Sequence, residues 1–446
     1  LQASSKVREL SLNMVAELKL EPDERVNVEA IRCIQHFLMF APKYLDTREL
    51  VPYLQNQITS LHLPLKKAAV TCLYQLVQRD SELVFKAAQP GLDTELFKML
   101  DTDPQLSDVK NVIRSWLQET AVAEPSIWVN ITKRIVTGSS GNAGTVDGAM
   151  KSAPVARERT SDEGDDDEFG DDDADGFVDD EDNADIATTV ADASGITAKL
   201  SVNVEIPPRW RTQLFALECL QQTIELIYAS GIREHFDLIL ARKRRQQAGL
   251  GDFLVFRVPD LIRLSFTAAT AHVNELRLAG INLLKVVIEK FSNTLDADLE
   301  DMLLLEQYSA QIGAALTPAF GADSSSEIVS AAVRVCAIYV GSGIVKDLYQ
   351  LGRVLKLLIS ALDRCKGESK LTGVGEVKDL SPHASVMVKL SVLNAWAELQ
   401  VASQKQAYLK QVLQPNLAVL SPMWLRALQD YARIRLESDI VALSSR

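Results

Sequence analysis

A nine-residue pattern of apolar and small residues recurs seven times along this chain. Its first position is aliphatic or Thr, its fifth is small, its sixth is aliphatic, and its eighth and ninth are mostly apolar. The copies begin at Val7, Val26, Leu65, Thr212, Leu276, Ile328 and Met387. Positions one, five, eight and nine share one face of an α-helix, and the small fifth residue allows a neighbouring helix to approach closely. The pattern predicts the inner helix of a stacked helical pair, and its recurrence favours an α-solenoid over an ordinary helical bundle.

The spacing of the copies indicates that the units are uneven. From Val26 to Leu65 is 39 residues, close to the roughly 40 to 47 residues of a two-helix HEAT-type unit. The later intervals of 64, 52 and 59 residues require longer loops or an extra helix. Only 19 residues separate Val7 from Val26, so we expect these two copies to be partners within one unit. The predicted fold class is all-α, a solenoid of irregular HEAT-type helical pairs with a long disordered acidic insertion.

Composition along the chain suggests three regions. Residues 1–137 form a HEAT-like helical block of about eight helices, consistent with four pairs, in which Thr47, Ser107 and Ser126 are expected N-caps. Residues 138–206 are dominated by Gly, Ser, Ala, Thr and Asp, which predicts a disordered acidic insertion. Residues 207–446 form a second HEAT-like block with a short loop at 367–379.

The net charge of −13 is concentrated in one segment. Between Thr160 and Asp185 there are 15 Asp or Glu residues and no Lys or Arg, and without these carboxylates the chain would carry +2. Because the helical blocks are nearly neutral, they have no strong electrostatic reason to bind nucleic acid. We therefore expect protein partners and no nucleic acid.

The acidic tract itself allows three interpretations. One is a solvating spacer. Another is an EF-hand loop, since the Asp residues between Asp171 and Asp182 follow its ligand spacing, but helices are not expected on either side and position twelve is Asp. The third uses the two aromatic residues of the tract. The run DEFGDD resembles the acidic Phe-Gly motifs that bind the ear domains of clathrin adaptors, which makes a protein-binding set of Asp167, Glu168, Phe169, Gly170, Asp171 and Phe177.

A basic cluster stands after the acidic tract. Arg242, Lys243, Arg244 and Arg245 are predicted to close a helix that begins near Ile232. Cations at a helix C-terminus interact favourably with the helix dipole and remain solvated, so a surface role is one interpretation. The alternatives are contact with anionic lipid or with the chain's own acidic tract.

Catalytic and metal-binding patterns do not stand out in the sequence. The five histidines are scattered without metal-ligand spacing, and four of the five cysteines occupy position eight or nine of the repeated pattern. These cysteines are expected to be small core residues in a reducing compartment. No apolar run approaches the roughly 18 to 20 residues that cross a bilayer. The sequence therefore predicts no enzyme, no cofactor, no metal site and no transmembrane segment.

A family resemblance rests on long runs in the second block. From Asp252 the chain reads DFLVFRVPDLIRLSFTAATAHVNELRLAGINLLKVVIEKF, followed by LEQYSAQIGAALTPAF, VCAIYVGSGIVKDLYQLGRVLKLLISALDR and KLSVLNAWAEL. These runs resemble consecutive segments of the HEAT repeat-containing protein 5 family, and RWRTQLFALECLQQTI from Arg209 resembles the segment that opens this region. The likeness covers residues 209–399 well and the first 137 residues more loosely.

The resemblance carries functional expectations. Members of that family are very large cytosolic proteins that act as accessory factors of the type-one clathrin adaptor complex at the trans-Golgi network and endosomes. It implies that this chain is an internal or C-terminal part of a non-enzymatic scaffold, with the adaptor complex and its co-factors as partners. It also implies a cytoplasmic protein held peripherally, through partners, at these membranes and at clathrin-coated vesicles.

Two other scaffold classes remain as alternatives. A nuclear transport receptor is also a HEAT solenoid that binds cargo, sometimes with an acidic loop that helps to release it. That class predicts a strongly acidic concave surface, whereas the helical blocks sum to about +2. A protein-phosphatase scaffold predicts units of nearly constant length, which the uneven spacing disfavours.

Overall fold

The fold is described from a computed structural model of the chain. This structure describes residues 5–137, 210–248, 251–296, 302–321, 324–345, 348–366 and 381–444. The first of these ranges contains eight α-helices, the number that the sequence predicts. They are α1 Ser5–Leu18, α2 Glu24–Phe40, α3 Thr47–Ile58, α4 Leu63–Val77, α5 Ser81–Ala87, α6 Leu92–Thr102, α7 Ser107–Thr120 and α8 Pro125–Val136.

Ten further α-helices lie in the later described ranges. They are α9 Trp210–Ala229, α10 Leu238–Ala248, α11 Val258–Ala269, α12 Asn274–Phe291, α13 Ser309–Leu316, α14 Ser326–Gly341, α15 Leu348–Lys366, α16 Pro382–Ala402, α17 Tyr408–Leu413 and α18 Leu417–Ser444. The predicted insertion at 138–206 and the predicted loop at 367–379 lie outside the described residues. The division into domains therefore stays a prediction.

Capping residues start several of these helices. Asp46 precedes α3 and its carboxylate accepts a hydrogen bond from the Arg48 backbone N–H, while Pro residues stand in the first turn of α4, α8, α11 and α16. The predicted N-caps were wrong. Thr47 and Ser107 are the first residues of their helices and Ser126 is the second residue of its helix. The cap is the residue with non-helical backbone before the first turn, and at α3 this is Asp46.

The helices form two layers, as an α-solenoid requires. An inner layer consists of α2, α4, α7, α9, α12, α14 and α16, and each of these helices contacts the next. The outer layer contains α3, α5, α6, α8, α11, α13 and α15. Six of the seven copies of the repeated pattern lie on inner helices, and in five of them, those at Val26, Leu65, Thr212, Leu276 and Ile328, the fifth, sixth and ninth positions are all buried. The fold is all-α and HEAT-like, as predicted.

The remaining copies depart from the pattern. Val7 and Met14, at positions one and eight of the first copy, are 53% and 58% exposed, because α1 packs mainly on α2. In the last copy Met387 is half-buried and Asn394 is exposed. The inner helix α7 lacks the pattern, since Ile113 stands where the small residue would be. As predicted, the first two copies belong to helices that contact each other.

Pairing differs from four self-contained pairs in the first block. α1 contacts α2, α3 contacts α4, and α7 is opposed by both α5 and α6. α8 takes its main partner, α9, from the far side of residues 138–209. The hydrophobic cores of the two blocks meet on α9, where Phe215 and Ala216 belong to one core and Leu217 and Leu220 to the other. The described helices before and after the predicted insertion thus pack against each other.

Candidate binding surfaces

The predicted acidic site cannot be placed on this fold. Asp167, Glu168, Phe169, Gly170, Asp171 and Phe177 all lie outside the described residues. The EF-hand spacing between Asp171 and Asp182 lies outside them as well. Both interpretations of the tract therefore stay predictions.

The basic cluster lies on α10, which starts later than predicted. The Asp237 side chain accepts hydrogen bonds from the backbone N–H groups of Ile239 and Leu240 and so caps the helix, whereas Arg233–His235 form a separate short 3-10 turn. The helix continues to Ala248, so the four cations lie in its middle and do not close it. The side chains of Leu238 and Ala241 enter the core, and this fixes which cations face outward.

Burial of one face of α10 divides the cluster. The Arg245 guanidinium lies 5.4 Å from the centroid of the Phe256 ring, and Arg245 is nevertheless exposed. Arg242 is partly buried and also interacts with its surroundings. Lys243 and Arg244 are exposed. The sequence predicts one basic patch, whereas the structure has three exposed cations, of which Arg245 contacts the Phe256 ring, and one partly buried cation, Arg242.

Arg245 lines a cleft at the N-terminus of α8, with a volume of about 790 Å³. There the Asp252 carboxylate accepts hydrogen bonds from the Ser126 backbone N–H, at 2.8 Å, and from the Ser126 hydroxyl. The Arg257 Nε donates to the Ser126 hydroxyl at 2.7 Å. Asp252 thus provides the capping carboxylate for α8 from 126 residues away in sequence. Because the polar groups that line the cleft form hydrogen bonds with one another, we interpret it as a structural contact between α8 and the second block.

A second depression crosses three successive inner helices. It has a volume of about 320 Å³ and lies at the C-terminal ends of α12, α14 and α16. Ala337, Ile338 and Gly341 of α14 form its floor, and Glu289 and Glu398 stand beside them on the flanking helices. We call this depression the inner-helix groove. An apolar floor beside carboxylates suits a segment that carries both apolar and basic side chains.

The sequence analysis predicted neither the cleft at the N-terminus of α8 nor the inner-helix groove, for different reasons. The small residues Ala337 and Gly341 stand four apart on one helix face and could have indicated a shallow groove. The hydrogen bonds between Ser126 and Asp252 leave no local signal, since neither residue belongs to a motif. Their proximity depends on the packing of α8 against the second block.

The buried titratable groups are core residues. The thiols of Cys72, Cys219 and Cys336 are buried, and burial raises the pKa of Cys72 and Cys219 to about 12. His235 is 2% exposed, and its Nδ1 accepts a hydrogen bond from the Leu254 backbone N–H at 3.2 Å. Burial lowers the pKa of His235, and the Asp252 carboxylate offsets part of that shift. Within the described ranges, no group of three or more His, Cys, Asp or Glu side chains could hold a metal ion.

No helix in the described part of the chain is both long enough and apolar enough to cross a membrane.

Comparisons with known proteins identify relatives over different stretches. Protein SWEETIE of Arabidopsis thaliana is 26% identical over 439 residues, which cover 95% of this chain and 18% of that protein. AP-1 accessory protein LAA1 of Saccharomyces cerevisiae is 32% identical over 186 residues, covering 41% of this chain and 9% of that protein. The chain thus spans less than a fifth of the length of these relatives.

Among solved structures, the chain is similar to Kap121p and to importin-beta. A Kap121p mutant has a TM-score of 0.32 and 13% identity, covering 94% of this chain and 40% of that chain. Yeast importin-beta, Kap95p, has a TM-score of 0.31 and 10% identity, covering 95% of this chain and 49% of that chain.

The family comparison concerns the second block. Residues 253–433 match the Laa1/Sip1/HEATR5 HEAT repeat region, and this stretch contains most of the runs that carry the sequence resemblance. The resemblance to the HEAT repeat-containing protein 5 family is thereby confirmed. Residues 253–433 thus contain a HEAT-repeat region similar to that of the Laa1/Sip1/HEATR5 proteins.

Proposed function

We propose that this chain is part of a non-enzymatic scaffold that serves the type-one clathrin adaptor complex. The observation that carries the proposal is the 32% identity, over 41% of the chain, to a protein named an AP-1 accessory protein. The scaffold would be cytoplasmic and would act in vesicle traffic between the trans-Golgi network and endosomes. It would be held peripherally at these membranes and at clathrin-coated vesicles by its partners.

The two-layer architecture supports a scaffold role. Inner helices that each contact the next form one extended layer, and the inner-helix groove lies across three of them. Such surfaces bind extended partners through many small contacts. The nuclear transport alternative would require a strongly acidic concave surface, and the chain outside the acidic tract sums to about +2.

A capture experiment tests the scaffold proposal. The 446-residue chain is immobilised and incubated with purified type-one clathrin adaptor complex. Ile338→Arg places a cation on the floor of the inner-helix groove, and Ile359→Arg makes the same change on the outer helix α15, where Ile359 is 37% exposed. We expect capture by the wild type and by Ile359→Arg, and severalfold weaker capture by Ile338→Arg. If none of the three proteins captured the complex, the adaptor proposal would be contradicted. If all three captured it equally, the inner-helix groove would be excluded as the binding site, but the adaptor proposal would not be contradicted.

We further propose that the acidic tract docks Phe169 and Phe177 onto the ear domain of the adaptor. An aromatic ring enters a small apolar pocket while neighbouring carboxylates pair with Lys and Arg at its rim. The support is the run DEFGDD and the absence of other aromatic residues from Thr160 to Asp185.

The ear-domain proposal is tested with a matched pair of variants. Phe169→Ala with Phe177→Ala removes both aromatic rings, whereas Val178→Ala with Ile186→Ala removes one apolar side chain within the tract and one directly after it and leaves the rings. Binding of the isolated ear domain is measured by calorimetry. We expect the aromatic pair to abolish binding and the aliphatic pair to leave it close to wild type. If both variants bound the ear domain equally, the proposed role of Phe169 and Phe177 would be contradicted. The scaffold proposal would not be affected.

A further inference from the structure

The outward side of α10 combines apolar and basic side chains without a carboxylate. Ile239 is 49% exposed and Leu240 is 39% exposed, and Lys243 and Arg244 follow each of them four residues later. Side chains four residues apart lie one above the other on a helix, so each cation stands beside an exposed apolar side chain. We call these four residues the outer face of α10.

The charge of this face is uncompensated. The segment from Leu238 to Ala248 contains four cations and no Asp or Glu. No ion pair of Lys243 or Arg244 is found among the described residues. The nearest carboxylate in sequence, Asp237, is engaged with the backbone N–H groups of the first turn.

The position of α10 leaves this face accessible. Its main contacts are with the 3-10 turns Arg233–His235 and Leu254–Arg257, and it belongs to neither layer of the helical stack. Leu238 and Ala241 hold its inner side in the core. The outer face of α10 therefore lies opposite the buried side of this helix, and it is distinct from the inner-helix groove of α12, α14 and α16.

We propose that the outer face of α10 contacts an anionic phospholipid surface. A flat bilayer surface can accept the Ile239 and Leu240 side chains into its interfacial layer while Lys243 and Arg244 reach the phosphate groups along their aliphatic stems. The exposed side of one helix offers no groove to a peptide, and an acidic peptide without apolar residues would leave the Ile239 and Leu240 side chains in water. An anionic membrane satisfies both the charge and the apolar surface of this face.

This proposal is independent of the adaptor proposal, since it needs no protein partner. It assigns to the scaffold a direct and weak membrane contact, because two apolar side chains and two cations amount to a single short anchor. The full protein would add this contact to those made through its partners.

Vesicle flotation of the purified chain tests the proposal. The vesicles contain phosphatidylcholine alone or with about 30% phosphatidylserine, at about 0.1 M and about 0.5 M salt. We expect flotation with the anionic vesicles at low salt only. Lys243→Glu with Arg244→Glu is expected to lower the bound fraction tenfold or more, since each lost cation weakens binding roughly fivefold. Ile239→Ser with Leu240→Ser is expected to lower it by a similar factor.

The control keeps the total charge change constant. Lys405→Glu with Lys410→Glu reverses two exposed cations near α17, far along the chain from α10, and should float like the wild type. Thermal melting of every variant verifies that it is folded. Equal flotation of all three pairs would overturn the proposal. The proposal would also be overturned if only the Lys243→Glu, Arg244→Glu variant lost vesicle binding and the wild-type chain bound a synthetic poly-glutamate peptide tightly. That result would assign the face to an acidic protein.

Discussion

The small fifth residue of the repeated pattern sets how closely neighbouring helices pack. Gly280 of α12 shows this most directly, because a β-carbon built there would lie 2.3 Å from the Ala269 backbone nitrogen and 2.7 Å from the Ala268 carbonyl carbon. Ala269 and Ala268 belong to α11, the outer partner of α12. The backbones of this pair therefore approach more closely than any side chain at position 280 would allow.

Gly280→Ala is expected to destabilise the chain by about 2 to 3 kcal/mol, because the added methyl group must push α11 away. Gly352→Ala is its control, since Gly352 also lies within a helix, α15, but has nothing within 4 Å of the added carbon. That change is expected to stabilise by about 0.5 to 1 kcal/mol through helix propensity. Urea unfolding of the three proteins measures both effects. A Gly280→Ala variant as stable as the wild type would contradict the close approach.

His235 gives the fold a dependence on pH. Its native-state pKa is lowered by burial, so below about 6.5 the unfolded chain takes up a proton that the native chain does not. The free energy of unfolding should therefore fall as the pH drops below that value. His235→Gln keeps an acceptor for the Leu254 N–H and cannot titrate, so its stability should fall less between pH 7.5 and pH 5.5.

The control for this comparison is His272→Gln, which changes an exposed histidine in the turn before α12. It should show the pH dependence of the wild type. Denaturant unfolding at both pH values measures the difference. If His235→Gln and the wild type lost the same stability on acidification, the buried histidine would have no part in the pH dependence.

At the scale of elements, α8 joins the two helical blocks. Its first turn is capped by Asp252, and Lys133 of α8 forms an ion pair with Asp260 of α11 at 2.9 Å. On its inner side the Thr132 hydroxyl donates to the Ala216 carbonyl of α9 at 3.3 Å. α8 therefore depends on residues that lie after the predicted insertion for its cap, its partner helix and one ion pair.

Asp252→Ala is expected to destabilise the chain by about 1 to 2 kcal/mol, because it removes the cap of α8. Ser126→Ala removes the other partner of the hydroxyl contact. A double-mutant cycle over the two positions should give a coupling energy of about 1 kcal/mol or more, since the residues contact each other directly. Strictly additive losses in urea unfolding would show that the contact does not contribute to stability.

At the scale of the whole molecule, the described helices of both blocks form one stack. α9 contributes buried side chains to both hydrophobic cores. The ring centroid of its Phe215 lies 6.2 Å from that of Phe97 in the first block. In α8, Trp128 belongs to the core of the first block and Val129 to the core of the second. Removal of α9 would expose these side chains to water.

A split chain tests this dependence. Residues 1–137 and 207–446 produced together as separate polypeptides are expected to co-purify as a one-to-one complex, and residues 1–137 alone are expected to aggregate through the exposed face of α8. Ala216→Arg in the second fragment places a charge in the shared core and should prevent association, whereas Glu218→Arg, at an exposed position of the same helix, should not. Size-exclusion chromatography distinguishes these outcomes. Monodisperse, independently folded fragments that do not associate would contradict a shared stack.

The sequence by itself determined the class of fold and the family. Helical periodicity, the small fifth residue and Pro-containing breaks are local, so they predicted the helices in the first block and the inner position of α2, α4, α9, α12 and α14. The ordered runs in the second block predicted the family. The tertiary structure decided which helix pairs with α8, which cations of α10 face outward, and how Asp252 comes to cap a helix 126 residues away. These features depend on burial and on contacts between distant residues, and no local pattern in the chain encodes them.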